Sequence, residues 1–274
     1  MAQVLVVFLV FLALMLKNPQ VAMGIYRAVR LWLPLDDAYR QALARYNTFY
    51  QRLPPASKKR FERKVKEFIL HKKFIPRKIP RVTKEMKAMI ASAAVQLTFG
   101  LPDVTLLHFD KILVYPDSYY SVINKQYHKG EVNPRLKAIV VSWKAFVEGF
   151  ARPHDGINLG LHEMAHALKL ENIIRNGEHH FFNLDEYKKW LQLAKEEMAK
   201  INRGEASIFR SYAGVDEDEF FAVCMELYFE QPHQLYDYNE ALYKTLSNLL
   251  HQDTIRLFGP APQATRTPPA AGQG

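Results

Sequence analysis

The sequence predicts an α+β fold, mainly helical with a small mixed sheet and preceded by one N-terminal apolar helix. Three observations predict it. Helical periodicity, with apolar residues recurring every three or four positions, fills most of the chain. Only two segments read as strands. An unbroken apolar run from Val4 to Leu16 opens the sequence. Long helices beside one small sheet point to segregated elements rather than alternating strand–helix units.

Taken in order, residues 1–20 read as a membrane anchor. A 16-residue helix spans about 24 Å, close to but short of a hydrocarbon core of roughly 30 Å. The usual basic start of a signal peptide is missing, since only Met1-Ala2-Gln3 precede the apolar run. Lys17, Arg27 and Arg30 follow it, which favours an outside N-terminus and a cytoplasmic body. The expected location is therefore the membrane, through a single-pass anchor. Residues 21–44 read as an amphipathic connecting segment. Residues 45–258 form one domain, for which 49% hydrophobic and 12% aromatic residues supply a large core. The expected helices are 36–53, 56–70, 83–99, 158–170, 184–201, 217–229 and 236–250, and the expected strands 111–115 and 136–143. Residues 259–274, rich in Pro, Ala, Gly and Gln, read as a disordered tail.

The chemistry concentrates in His162-Glu163-Met164-Ala165-His166, an H-E-x-x-H sequence within the helix expected over 158–170. Residues four apart share a helix face, so both imidazoles can reach one Zn²⁺. Glu163 can stand beside a metal-activated water and take its proton. Leu159, Leu161, Ala165, Ala167 and Leu168 give the helix an apolar character, and no proline interrupts it. This pattern points to peptide-bond hydrolysis; the plain alternative is two surface histidines.

A hydrolytic zinc needs a third protein ligand. Glu219 and Glu226 are seven residues apart in the apolar segment that runs to Phe229, and both would lie on one face. A buried carboxylate needs a partner, and a metal is one. Glu219 also suits the third helical position of a capping box begun by Asp216. Spacing leaves the two glutamates tied. His179 and His180, after Asn176-Gly177, read as surface imidazoles.

Several further segments carry a family resemblance. They are Phe74-Ile75-Pro76, Ile112-Leu113-Val114-Tyr115-Pro116, His128, Ile139-Val140-Val141-Ser142-Trp143, the H-E-x-x-H helix, Ser211-Tyr212-Ala213, Glu219-Phe220-Phe221-Ala222-Val223 and Glu226-Leu227-Tyr228-Phe229. With them the chain, over roughly residues 45–258, resembles the Mlc titration factor A family of zinc-dependent peptidases, whose fold is zincin-like. The resemblance implies zinc as cofactor, with His162, His166 and Glu219 as its ligands and Glu163 as the catalytic base. It thereby breaks the tie and leaves Glu226 as a group behind the ligands. It implies site roles for His128, in contact with metal or substrate, and for Tyr212, as a donor to the oxyanion of the tetrahedral intermediate. One departure is Lys169, three residues after His166, where the family usually carries an acidic residue. The implied partners are a peptide or protein substrate and, since the family is linked to sequestering a repressor, a transcriptional regulator. The alternative function is thus a regulator-binding protein whose zinc site is structural or vestigial. The strand expected over 136–143 would be the one to pair with an extended substrate.

Charge and cysteine content add limits. Net charge is +9. Thirteen basic residues between Lys58 and Lys87 face only Glu62, Glu67 and Glu85. No nucleic-acid reading motif or aromatic platform accompanies them, so nucleic acid is not the expected partner. Beside an apolar N-terminus the expectation is an anionic membrane leaflet, with a solvated helix face as the plain alternative. Cys224 is the only cysteine; it permits no intrachain disulfide and reads as a small core residue.

Overall fold

The computed structural model describes residues 18–102, 104–121, 125–174 and 181–258. The chain opens with helix α1 (Pro19–Trp32), followed by α2 (Asp37–Tyr46), α3 (Thr48–Arg52) and α4 (Pro55–His71). Strand β1 (Lys73–Pro76) leads to the buried helix α5 (Lys84–Thr98) and then β2 (Lys111–Tyr115). A hairpin of β3 (Tyr119–Ser121) and β4 (Gln126–His128) precedes β5 (Gly130–Asn133), β6 (Ala138–Ser142) and α6 (Trp143–Ala151). The remainder is helical: α7 (Leu159–Ile174), α8 (Leu184–Asn202), a 3-10 turn (Ser211–Gly214), α9 (Glu217–Glu230), α10 (Pro232–Tyr238), α11 (Glu240–Leu250) and α12 (Thr254–Phe258).

The expectation of a mainly helical α+β fold with a small mixed sheet agrees with this architecture. The main sheet has the order β1-β2-β6-β5. The first three strands are parallel, and β5 runs antiparallel to β6. All five residues of β6 are buried, as a strand paired on both edges and covered on both faces requires. Among the described residues, Gly130–Asn133 pairs on one side only and forms an edge of the sheet. The expectation that the strand over 136–143 pairs with an extended ligand is therefore corrected: β2 and β5 occupy both of its edges. The same strand ends earlier than expected, because the Ser142 hydroxyl accepts from Ala145 N (3.3 Å) and starts α6.

The single-pass anchor, its membrane location and the apolar N-terminal helix need correction as well. Among the described residues no helix is long and apolar enough to cross a membrane. The first described helix, α1, has 14 residues and carries Arg27 and Arg30. At 1.5 Å per residue it reaches about 21 Å, well short of a hydrocarbon core. The run from Val4 to Leu16, and likewise His179, His180 and the tail over 259–274, lie outside the described residues.

Two helices expected to be continuous are each broken at an asparagine. Asn47 is fully buried; its Oδ1 accepts from Tyr50 N (2.7 Å) and its Nδ2 donates to Ser92 Oγ (3.0 Å). It ends α2, starts α3 and ties both to α5. Asn239 does the same between α10 and α11, accepting from Leu242 N (2.9 Å). Much of the basic stretch serves the interior. Arg60 and Lys64 donate to the carbonyls of Phe99 (3.4 Å) and Leu101 (2.8 Å) beyond the end of α5. Lys66 donates to the Leu33 and Pro34 carbonyls, and Lys72 to that of Leu106. These cations cap carbonyl groups at chain ends and bends.

The core begins at Leu35 and runs through α5, the sheet, α7 and α9. Within it α7 packs on α9, and Gly160 lets Phe146 of α6 approach α7: a Cβ there would meet the ring at 2.6 Å. The long buried faces of α7 and α9 bring the site together.

Candidate metal centre and active-site cleft

Helix α7 starts where Asn158 Oδ1 accepts from Leu161 N (3.1 Å). Two buried carboxylates of α9 complete this start. Glu226 Oε2 accepts from Asn158 N (2.6 Å), and Glu230 accepts from Gly156 N (3.1 Å) and Asn158 Nδ2 (2.9 Å). Negative groups at a helix N-terminus satisfy its free amides and oppose its dipole. Burial nevertheless lifts the Glu230 carboxyl to about 7, a rise that the Asn158 hydrogen bond only partly offsets.

One turn on, His162 and His166 turn their Nε2 atoms toward each other, 3.1 Å apart. Glu219 reaches the same point from α9, with Oε2 3.1 Å from His162 Nε2 and Oε1 3.6 Å from His166 Nε2. Donor atoms of His162, His166 and Glu219 all lie within 4.8 Å of one another. Glu219 Oε2 is buried and, despite its proximity to His162, is not aligned for a hydrogen bond. Two imidazole nitrogens and a carboxylate oxygen converging on one point, with Glu219 Oε2 lacking a hydrogen-bond partner among the described residues, fit a divalent ion such as zinc. Glu219 sits there because Asp216 Oδ1 accepts from Glu219 N and Asp218 N (both 2.8 Å), fixing the first turn of α9. Capping and ligation are compatible, since the cap uses the amide of Glu219 and leaves its carboxylate free.

Glu219 and Glu226 thus stand on opposite sides of one imidazole. Glu226 Oε1 accepts from His162 Nδ1 (2.7 Å), which leaves Nε2 for the ion. Burial pushes the His162 pKa down, but the close carboxylates of Glu219 and Glu226 outweigh it and raise it to about 10. Burial raises the Glu219 pKa, yet the two histidines hold it well below the usual carboxylate range.

The Glu163 carboxyl is buried in the same cleft, and burial lifts it to about 7 against the opposing pull of His162 and His166. It passes over Gly130 of β5, where a Cβ would lie 2.2 Å from Glu163 Oε1. Tyr212 lies on the 3-10 turn with its ring 6.3 Å from that of His162. Burial, then the charge of Glu219, pushes its hydroxyl up to about 12, so it remains a donor at neutral pH. His128, on β4, lines both lobes of the cleft, and its Nε2 is buried with no hydrogen-bond partner among the described residues. The two lobes, of ≈ 460 and ≈ 380 Å³, meet over Glu163. Lys169, the departure noted in the sequence, pairs through Nζ with Asp218 Oδ1 (2.6 Å) and lies over the Trp190 ring. The carboxylate partner at this point comes from the neighbouring helix.

Sequence reasoning missed Gly130, Glu230 and Arg210. The Arg210 guanidinium donates through Nη2 to Glu226 Oε1 (2.6 Å) and through Nη1 to Glu226 Oε2 (3.2 Å) and Gly156 O (3.1 Å). Nothing local in the sequence marks these residues; each acts through a contact far along the chain.

The family model of the glucose-regulated metallo-peptidases M90 matches residues 27–251 of this chain. The chain belongs to the M90 metallo-peptidase family. Its relatives include an uncharacterized protein of Synechocystis sp., 26% identical over 228 residues, covering 78% of this chain and 83% of that protein. They also include Mlc titration factor A of Escherichia coli, 26% identical over 189 residues, covering 61% of this chain and 70% of that protein. Mlc titration factor A of an Enterobacter strain matches to the same extent. The resemblance read from the H-E-x-x-H helix and the segment from Glu219 to Phe229 is thus matched by the family model over residues 27–251.

Proposed function

We propose that this M90 protein is a zinc-dependent peptidase in which His162, His166 and Glu219 hold the ion. The observation that carries this reading is their convergence within 4.8 Å beside a buried Glu163 whose pKa is about 7. When bound, the ion polarises the substrate carbonyl and makes water acidic enough to attack near neutral pH. Glu163 takes the proton of the attacking water and returns it to the leaving amine. A base poised near the working pH suits both transfers. The Tyr212 hydroxyl donates to the developing oxyanion. His128, whose Nε2 lacks a partner among the described residues, receives a polar group of the substrate from the opposite wall. An extended peptide adds to the free edge of β5, running antiparallel to it past Gly130 and Glu163.

The test is zinc content and peptide hydrolysis of the purified full chain and of Glu163→Gln. The expected result is about one zinc per chain in both, with hydrolysis reduced about 10²–10⁴-fold in the variant. Hydrolysis that persists in Glu163→Gln refutes the assigned base, and a wild-type chain that retains no zinc refutes the metal site.

A second reading follows from the name of Mlc titration factor A, a protein named for titrating a regulator. Here the chain captures a transcriptional regulator and its zinc is structural or vestigial. Capture that survives in Glu163→Gln, with no peptide cleaved by wild type, selects this reading.

A further inference from the structure

We propose that Arg210 is a positioning residue of the metal centre, a clamp that holds Glu226 oriented so that His162 presents Nε2 to the ion. The proposal rests on the zinc-peptidase reading for its consequence but not for its geometry.

Glu226 is 1% exposed and receives hydrogen bonds from three directions: the His162 imidazole, the Asn158 amide and the Arg210 guanidinium. A carboxylate at such a position needs close donors, because an unpaired buried charge is strongly destabilising. Arg210 meets the carboxylate in the two-pronged geometry that matches its plane. Its third bond, to Gly156 O, reaches the loop that enters α7. The clamp therefore fixes the acceptor of His162 and the start of the helix that carries His162 at once.

Arg210 is itself pinned. The preceding Phe209 is buried with its ring 5.0 Å from that of Phe220, and the 3-10 turn that follows is held by Asn202 Nδ2 donating to Gly214 O (3.0 Å). The guanidinium is one-third exposed and lines the cleft, yet its polar contacts run inward to Glu226 and Gly156. An arginine kept for substrate alone would not spend both amino groups on a buried glutamate.

The experiment measures zinc affinity by chelator competition in the full chain for wild type, Arg210→Met, Arg210→Lys, Glu226→Gln and the double variant. Amide exchange at Asn158 is measured on the same proteins freed of zinc. Loss of a group that orients a metal-bound histidine costs about 10–100-fold in affinity. Arg210→Met is expected to lose that much, Arg210→Lys to recover part of it, and the double variant to be no weaker than Glu226→Gln. In zinc-free Arg210→Met the Asn158 amide is expected to exchange at least about tenfold faster, with core amides unchanged. Unaltered zinc affinity in Arg210→Met, or losses that add in the double variant, overturns the proposal. Should Arg210→Met fail to fold, Arg210→Lys carries both readouts, and wild-type values in both overturn the clamp. If wild type retains no zinc, the zinc-peptidase reading falls, and amide exchange alone decides whether Arg210 holds Glu226.

Discussion

Gly130 and Glu163 are in such close approach that any side chain at residue 130 would occupy the place of the carboxylate; even a Cβ would lie 2.2 Å from Oε1. Gly130→Ala is therefore expected to displace Glu163 while leaving His162, His166 and Glu219 in place. A misplacement of about 1 Å costs on the order of 10²-fold in rate. Hydrolysis should fall by that factor with zinc content unchanged, as measured by steady-state kinetics and metal analysis on one preparation.

Tyr212 keeps its proton at neutral pH and is half-exposed at the cleft wall. Tyr212→Phe removes only the hydroxyl. The expected outcome is a fall in kcat of about 10²–10³-fold, the size seen on loss of an oxyanion donor, with KM and zinc affinity near wild type. A loss confined to KM would assign Tyr212 to substrate binding.

Glu230 provides a test in pH. Its carboxyl is held to about 7 in the native state against an ordinary value of 4.5. Below pH 4.5 both native and unfolded chains carry the proton. Between 4.5 and about 7 the native chain binds it and the unfolded chain does not, so rising pH removes stability across that window. The full effect is at most about 3 kcal/mol. Urea unfolding of the zinc-free protein at pH 4.5 and pH 8 should show wild type losing stability relative to Glu230→Gln, whose amide does not titrate. A constant difference between the two proteins would refute the raised carboxyl.

Asn47 is fully buried and links three helices through two hydrogen bonds. Asn47→Ala removes the cap of α3 and the partner of Ser92. A loss of about 2–3 kcal/mol is expected from the cap and the unpaired hydroxyl together, measured by denaturant unfolding.

The site was legible where its residues are local. Two candidate ligands and the proposed base lie within five residues of one helix, so periodicity and spacing suffice to single them out. Glu219 and Glu226 could not be separated by spacing, because both lie on the face turned to His162; the distinction is which ring nitrogen each approaches. Gly130 and Arg210 were invisible because their partners lie 33 and 16 residues away and only packing joins them. In the fold, β6 announced itself through an apolar run, whereas β5, Gly-Glu-Val-Asn, has a single apolar residue, as a cleft-edge strand allows. The helix breaks at Asn47 and Asn239 escaped notice because the flanking apolar period continues through them. Their side chains compete with the helix for backbone amides, an effect that periodicity does not register.

The placement of the basic residues bears on how surface mutagenesis of this chain should be read. Arg60, Lys64, Lys66 and Lys72 end on backbone carbonyls, and Lys84 on Asp36. A charge-reversal scan over 58–87 would therefore return a mixture of phenotypes. Lys59, Arg63, Arg77 and Arg81, which are exposed, would report on contacts with polyanions. The cations bonded to backbone carbonyls would report on misassembled helix ends. Scored together, the two groups would pass for one binding patch larger than the surface presents.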